Sequence, residues 1–381
     1  MTVENLVDEL DARLSPLERA VNRAWWEANI DANDDTSRRR AETEVAWSDA
    51  LADRDAFVAI RERRAAGSSN ALVERRLHVL EQLFAPQQVD ADLRRETIAL
   101  QTDIESRFAR FRARIGDDEI DENGINEILR TSDDVARRKA AWEASKTVGV
   151  EVATDVRHLA HLRNAAASSL GYRDHFAMSL RTTDFDEARL MATLDEVEQI
   201  TRDPFVALKR TLDERLAGRF GCDASALRPW HYDDPFFQTP PQAVGVSLDE
   251  HLEHSDLVDL TVRTFEGMGL DVNGVLARSD LLPRDGKVQH AFCIDVDRAG
   301  DVRVLCNNVP GETWTETMLH EFGHAVYFVG VGRDLPWALR TMDSCLTEGI
   351  AMLCGRLVQD PDWLSGVAGV ATSTVSELAP R

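Results

Sequence analysis

The chain has 381 residues, 43% hydrophobic and 29% charged, the composition of a folded protein rather than a disordered one. Its 67 acidic residues against 44 basic ones give a formal net charge of −23, a field that repels phosphate backbones and anionic membranes and so argues against both as partners. Five cysteines without a Cys-x-x-Cys pair, an acidic N-terminus unlike a signal peptide, and no apolar run near the roughly 18 residues of a membrane span together imply a cytoplasmic protein with reduced thiols.

In chain order, helix follows helix. Leu6, Leu10, Leu14, Leu17 and Val21 recur at three- and four-residue steps and predict an amphipathic helix ending near Asn29, with Ser15-Pro16 as a point of breakage or restart. Similar stripes run through 43–64, 71–84, 91–114, 133–168 and 186–216, separated at Gly67-Ser68, Ala85-Pro86, Gly116-Asp117 and Gly171. The segment 228–242 carries four prolines and four aromatic residues, too apolar for a flexible linker, and is expected to pack along a surface or cleft. Helical texture resumes at 247–268. One strand signal follows: 290–295 and 302–307 flank the turn-forming cluster Asp297-Arg298-Ala299-Gly300-Asp301, predicting a hairpin.

His320 lies thirteen residues beyond that hairpin, in a stretch, 315–328, that reads as an amphipathic helix containing His320-Glu321-x-x-His324. Histidines at i and i+4 share one helix face, about 6 Å apart along the axis, so both imidazoles can reach one zinc ion. Glu321 stands beside that pair, where it can take a proton from a zinc-activated water. The motif alone is moderately specific, since two helix-face histidines can equally pair with acids. A third donor strengthens the metal reading: a turn at Asp334-Leu335-Pro336 leads to a second helix carrying Glu348, 24 residues beyond His324 and able to face the pair from an antiparallel neighbour.

The stretch 320–348 resembles the zinc core of the angiotensin-converting enzyme family of peptidyl-dipeptidases, whose thimet-oligopeptidase-type relatives share the helical fold. The resemblance is carried by the motif, by Tyr327-Phe328, Asp334-Leu335-Pro336 and Ala338-Leu339-Arg340, and by the ungapped spacing to Glu348. His290-Ala291 falls where the family has a His-Ala strand lining the cleft, and the turn 297–304 reads more like the bacterial oligopeptidase branch. Motif-level similarity spans about 228–350; the helical remainder agrees only in texture.

The resemblance implies a mainly α, neurolysin/converting-enzyme-like fold of the gluzincin type, with one small β-hairpin beside the active-site helix. It implies a single catalytic domain made of an N-terminal helical region, 1–227, and a region of substrate-lining loop, hairpin and zinc helices, 228–381. His320, His324 and Glu348 would hold one zinc ion per chain, and Glu321 would be general base and then proton shuttle in the hydrolysis of oligopeptides. His290, Ala291 and Cys293 would pair with an extended peptide substrate, and Tyr232 falls near a segment lining the substrate channel.

Two departures from the pattern qualify these expectations. The position four residues after the ligand glutamate, an aspartate in the family, is Met352, leaving Asp343 or Glu316 to orient a ligand histidine. The chain also ends 33 residues after Glu348, before the family's tyrosine and histidine that bind the tetrahedral intermediate. The implied picture is a peptidase lacking its C-terminal helical part, with an apolar face near 337–358 open to self-association or a partner. The alternative is a catalytically weak or inactive zinc- and peptide-binding fragment. The helical pairs His158/His161 and His251/His254 read as solvated faces. Cys345, one helical turn before Glu348, reads as a thiol rather than a fourth ligand, which would close the site to water.

Overall fold

The computed structural model describes residues 2–237, 248–341 and 343–378, so 238–242 of the aromatic segment lie outside the described residues. In order, the elements are α1 (Val3–Ile30), α2 (Asp34–Leu51), α3 (Arg54–Ala66), α4 (Ala71–Phe84), α5 (Ala91–Arg110), β1 (Ala113–Ile115), β2 (Asp118–Ile120), α6 (Glu122–Thr131), α7 (Val135–Ser169), α8 (His175–Thr182) and α9 (Glu187–Phe220). There follow α10 (Asp249–Leu252), α11 (Leu257–Gly267), α12 (Asn273–Leu276), β3 (Phe292–Asp295), β4 (Val302–Leu305), α13 (Glu312–Gly330), α14 (Ser344–Gly355), α15 (Pro361–Gly366) and α16 (Thr372–Leu378). The fold is mainly α, as expected.

Three details correct the sequence reading. Among the described residues two small hairpins are present instead of one, because β1 pairs antiparallel with β2 across Gly116. Each of those strands has three residues, too few for alternation to register. The stripe at 43–64 is two helices, split where Asp53 leaves α2 and caps α3 by accepting from the Ala56 backbone N–H. Pro16 lies inside α1 without ending it. An interior proline costs about 3 kcal/mol, but Leu10 and Leu14 on the preceding turns are 3% and 0% exposed, and their burial holds the helix through it.

The chain groups into two compact units. The first combines Met1–Ala109 with Val246–Arg381. Its first core joins Leu6, Leu10 and Leu14 of α1 with Phe57 and Ile60 of α3 and Leu77, Leu80 and Phe84 of α4. The same core takes in Trp337 and Ala338, from the connection between α13 and α14. A second core packs α11, β4, α13 and α15 around Phe265, Val304, Met318, Phe322 and Trp363. The β3–β4 hairpin, in the register Phe292↔Leu305 to Asp295↔Val302, lies against α1, where Trp25 and Trp26 meet Phe292 at ring separations of 4.3 and 5.9 Å.

The second unit is Arg110–Gly245. Ile125, Ile128 and Leu129 of α6 pack on Ala141 and Ala144 of α7. Arg138, fully buried, donates to the carbonyls of Ser132, Trp230 and Tyr232 and pairs with Asp233 at 3.2 Å, fixing the start of the aromatic segment.

Candidate active site

The candidate site is built on α13 and α14. Gly311, at φ 144°, opens α13 in a conformation that side-chain-bearing residues rarely adopt, and a Cβ there would stand 2.7 Å from Asp249 Oδ1. The same oxygen accepts from the Glu312 N–H at 2.8 Å, so a carboxylate from α10 satisfies the start of the helix. α14 begins on Asp343, which accepts from the Leu346 N–H at 2.9 Å.

The two helices touch through glycines. A Cβ on Gly323 would lie 2.8 Å from the Ala351 Cα, and one on Gly355 3.3 Å from the Glu316 carbonyl and His320 Cβ. This close approach brings a donor from α14 to the histidines of α13. Donor atoms of His320, His324 and Glu348 all lie within 4.8 Å of one another. The two Nε2 atoms stand 3.6 and 3.7 Å from the Glu348 carboxylate oxygens, and the rings are nearly perpendicular at 4.9 Å. Tetrahedral zinc with N and O bonds near 2.0–2.2 Å needs donors about 3.3–3.6 Å apart; the two N–O separations are close to that, and the wider spread of the set, up to 4.8 Å, would have to close on the ion.

Loss of water sets the protonation states. Burial, ahead of the nearby charges, pulls both imidazoles below their ordinary value, which favours the neutral rings that metal binding requires. Glu321 is 7% exposed and stands outside the donor set. Burial first, and the Glu348 charge second, push its carboxyl up to about 8. Its charge adds, behind desolvation, to what raises the thiols of Cys293 and Cys306.

The structure thus brings together four of the sequence-predicted residues: His320, Glu321, His324 and Glu348. Cys293 is on β3 opposite Val304, and Ala291 immediately precedes that strand. Among the described residues β3 pairs with β4 and no other strand. His290 is exposed and stacks on Phe108 at 5.8 Å and 14°. Tyr232 belongs to the second unit, where its hydroxyl donates to Asp213 and accepts from Lys209, each at 2.8 Å. Cys345 is exposed and outside the donor set.

The expectation that Asp343 or Glu316 orients a histidine is corrected. Asp343 is committed to capping α14, and among the described residues Glu316 makes no hydrogen bond to either imidazole. His324 Nδ1 instead lies 2.8 Å from the Thr347 hydroxyl, while Met352 is 65% exposed. The sequence analysis missed Thr347; its one signal was its place immediately before Glu348.

A helical chain that converges two histidines and a glutamate beside a buried carboxyl is organised as metal-dependent hydrolases are. The sequence model for angiotensin-converting enzyme, a peptidase family, matches residues 1–221, more than half of the chain. The chain belongs to the angiotensin-converting enzyme family of peptidases. The match covers the helical segment in which only a likeness of texture was legible, and the motif at 320–348 lies beyond it. A comparison with curated proteins gives no match. No helix among the described residues is long and apolar enough to cross a membrane.

Proposed function

We propose that the chain is a zinc-dependent peptidase that hydrolyses oligopeptides, of the peptidyl-dipeptidase or oligopeptidase type. The observation that carries this reading is the convergence of the His320, His324 and Glu348 donors within 4.8 Å beside a buried Glu321. His320, His324 and Glu348 would hold one zinc ion. When bound, the ion would supply Lewis acidity to a carbonyl and a water, and its positive charge would favour the ionised form of the Glu321 carboxyl.

Glu321 then acts as general base: its carboxylate takes a proton from the attacking water and afterwards gives it to the leaving amine. The backbone of 290–293 offers an extended peptide a strand edge, and the exposed His290 ring offers it a hydrogen-bonding group. Self-association or a partner is assigned to the outer face of α14, where Leu346, Met352 and Leu353 are 54–67% exposed.

The test is a metal analysis and a quenched-oligopeptide assay on the parent chain and on Glu321→Gln. One zinc per chain in both, with turnover reduced about 10²–10⁴-fold in the variant, is expected, because an amide cannot take the proton. A zinc-loaded variant with parental turnover defeats the general-base role.

A second reading, zinc and peptide binding with little turnover, is favoured by Tyr327, the tyrosine of the unit that carries the donors, whose ring is taken up by that unit's own core. Tyr172 and Tyr232 belong to the second unit. Peptide binding without cleavage in the same assay would select it.

A further inference from the structure

We propose that Thr347 is a positioning residue of the metal site: its hydroxyl oxygen accepts the Nδ1–H of His324 and holds that imidazole with its Nε2 lone pair toward Glu348. This rests on the reading of His320, His324 and Glu348 as metal donors and deepens it.

The contact is short and dry. His324 Nδ1 and Thr347 Oγ1 are 2.8 Å apart, and the two residues are only 8% and 6% exposed. Removing the hydroxyl therefore leaves a buried ring nitrogen without water to replace it. At the other side of the ring, Nε2 lies 3.7 Å from Glu348 Oε1. An imidazole that ligates through Nε2 carries its proton on Nδ1, and an acceptor there fixes both tautomer and ring orientation. The position four residues after the donor glutamate cannot supply that acceptor, since it is the apolar, exposed Met352. Asp343 is spent on the Leu346 N–H. The hydroxyl of Thr347 fills the role with a neutral group.

Thr347 and Glu348 are consecutive on α14, and the Thr347 N–H donates to the Asp343 carbonyl at 3.0 Å, within the first turn. One helical turn thus delivers a donor to the ion and an orienting contact to a second donor. Any shift of α14 moves both together.

The experiment measures zinc affinity by chelator competition for the parent chain, Thr347→Val, Thr347→Ser and His324→Ala, with melting of the metal-free proteins alongside. Thr347→Val keeps the shape and loses the acceptor. It should bind zinc about 10–100-fold more weakly, with a modest fall in the metal-free melt because the buried ring nitrogen loses its partner, while Thr347→Ser returns to within about threefold of the parent affinity. A role in packing alone would move the melt and leave the affinity. Thr347→Val at parental affinity beside a crippled His324→Ala overturns the Thr347 assignment alone. A parent that binds no zinc, or His324→Ala binding as tightly as the parent, overturns the donor set and this proposal with it. Should Thr347→Val fail to fold, the zinc-loaded parent labelled at histidine decides by NMR. An exchange-protected His324 Nδ1–H with an NOE to the Thr347 methyl group is expected, and its absence overturns the proposal.

Discussion

Burial acts in opposite directions on the acids and bases around α13. It makes the imidazoles of His320 and His324 easier to keep neutral and the carboxyl of Glu321 harder to ionise. The same effect reaches the hairpin turn. Burial raises Asp295 to about 6, against the backbone N–H groups of Arg298 and Asp297 that it caps. Because the folded value stands above the ordinary one, this carboxyl adds stability that is complete below about pH 4 and lost as pH rises through 6. Asp295→Asn keeps an oxygen for both N–H groups and cannot ionise. The variant should be more stable than the parent at pH 7–8 by about 1–2 kcal/mol, after discounting for partial exposure, with no gain at pH 4. Urea unfolding at the two pH values checks it; an equal gain at both would mean the charge is not the cause. At this scale His320, Glu321, His324 and Glu348 were legible because their chemistry is written in residue type and helical spacing. Thr347 was not, because a threonine one position from a donor is legible only once the approach of two helices is known.

Between elements, the donor geometry depends on how near α14 comes to α13. Gly323→Ala would set a methyl group 2.8 Å from the Ala351 Cα and 3.2 Å from Cys354 Sγ, and a backbone atom cannot step aside as a flexible side chain can. The helices should separate, at a cost of about 1–3 kcal/mol, carrying Glu348 away from the histidines. Zinc affinity should then fall along with thermal stability; an unchanged affinity would show that the contact does not govern the donors. Gly323 reads in the sequence as an unremarked position of the His-Glu-x-x-His motif, since nothing local says which backbone will lie against it. Helices whose signals are local were easier: 71–84 was bounded correctly by its apolar stripe, with Asn70 as its cap. The family match over 1–221 belongs with the harder cases, because its signal is spread thinly along amphipathic stripes rather than gathered in a motif.

For the whole molecule, a zinc ion that binds only the folded chain adds stability by mass action, about 4.1 kcal/mol at a free concentration 1,000 times the dissociation constant. Melting should therefore shift upward with added zinc and return with a chelator, and the shift should vanish in His324→Ala. A zinc-independent melt of the parent would contradict the donor assignment.

Trp337 and Ala338 belong to the core begun by α1, and Glu18 of α1 accepts from the Trp337 indole N–H at 3.1 Å and from the Arg298 guanidinium of the hairpin turn. The entire second unit, 110–245, lies between these partners in the chain. During synthesis the first four helices emerge well before the residues that complete their core, and the interrupting unit can fold in the interval. Closing so long a loop is slow as well as late, because its entropy is spent before any contact rewards it. The donors on α13 and α14 follow that interrupting unit in the chain, so under the proposed zinc reading an ion would act on a core whose first helices are already made rather than guide their formation.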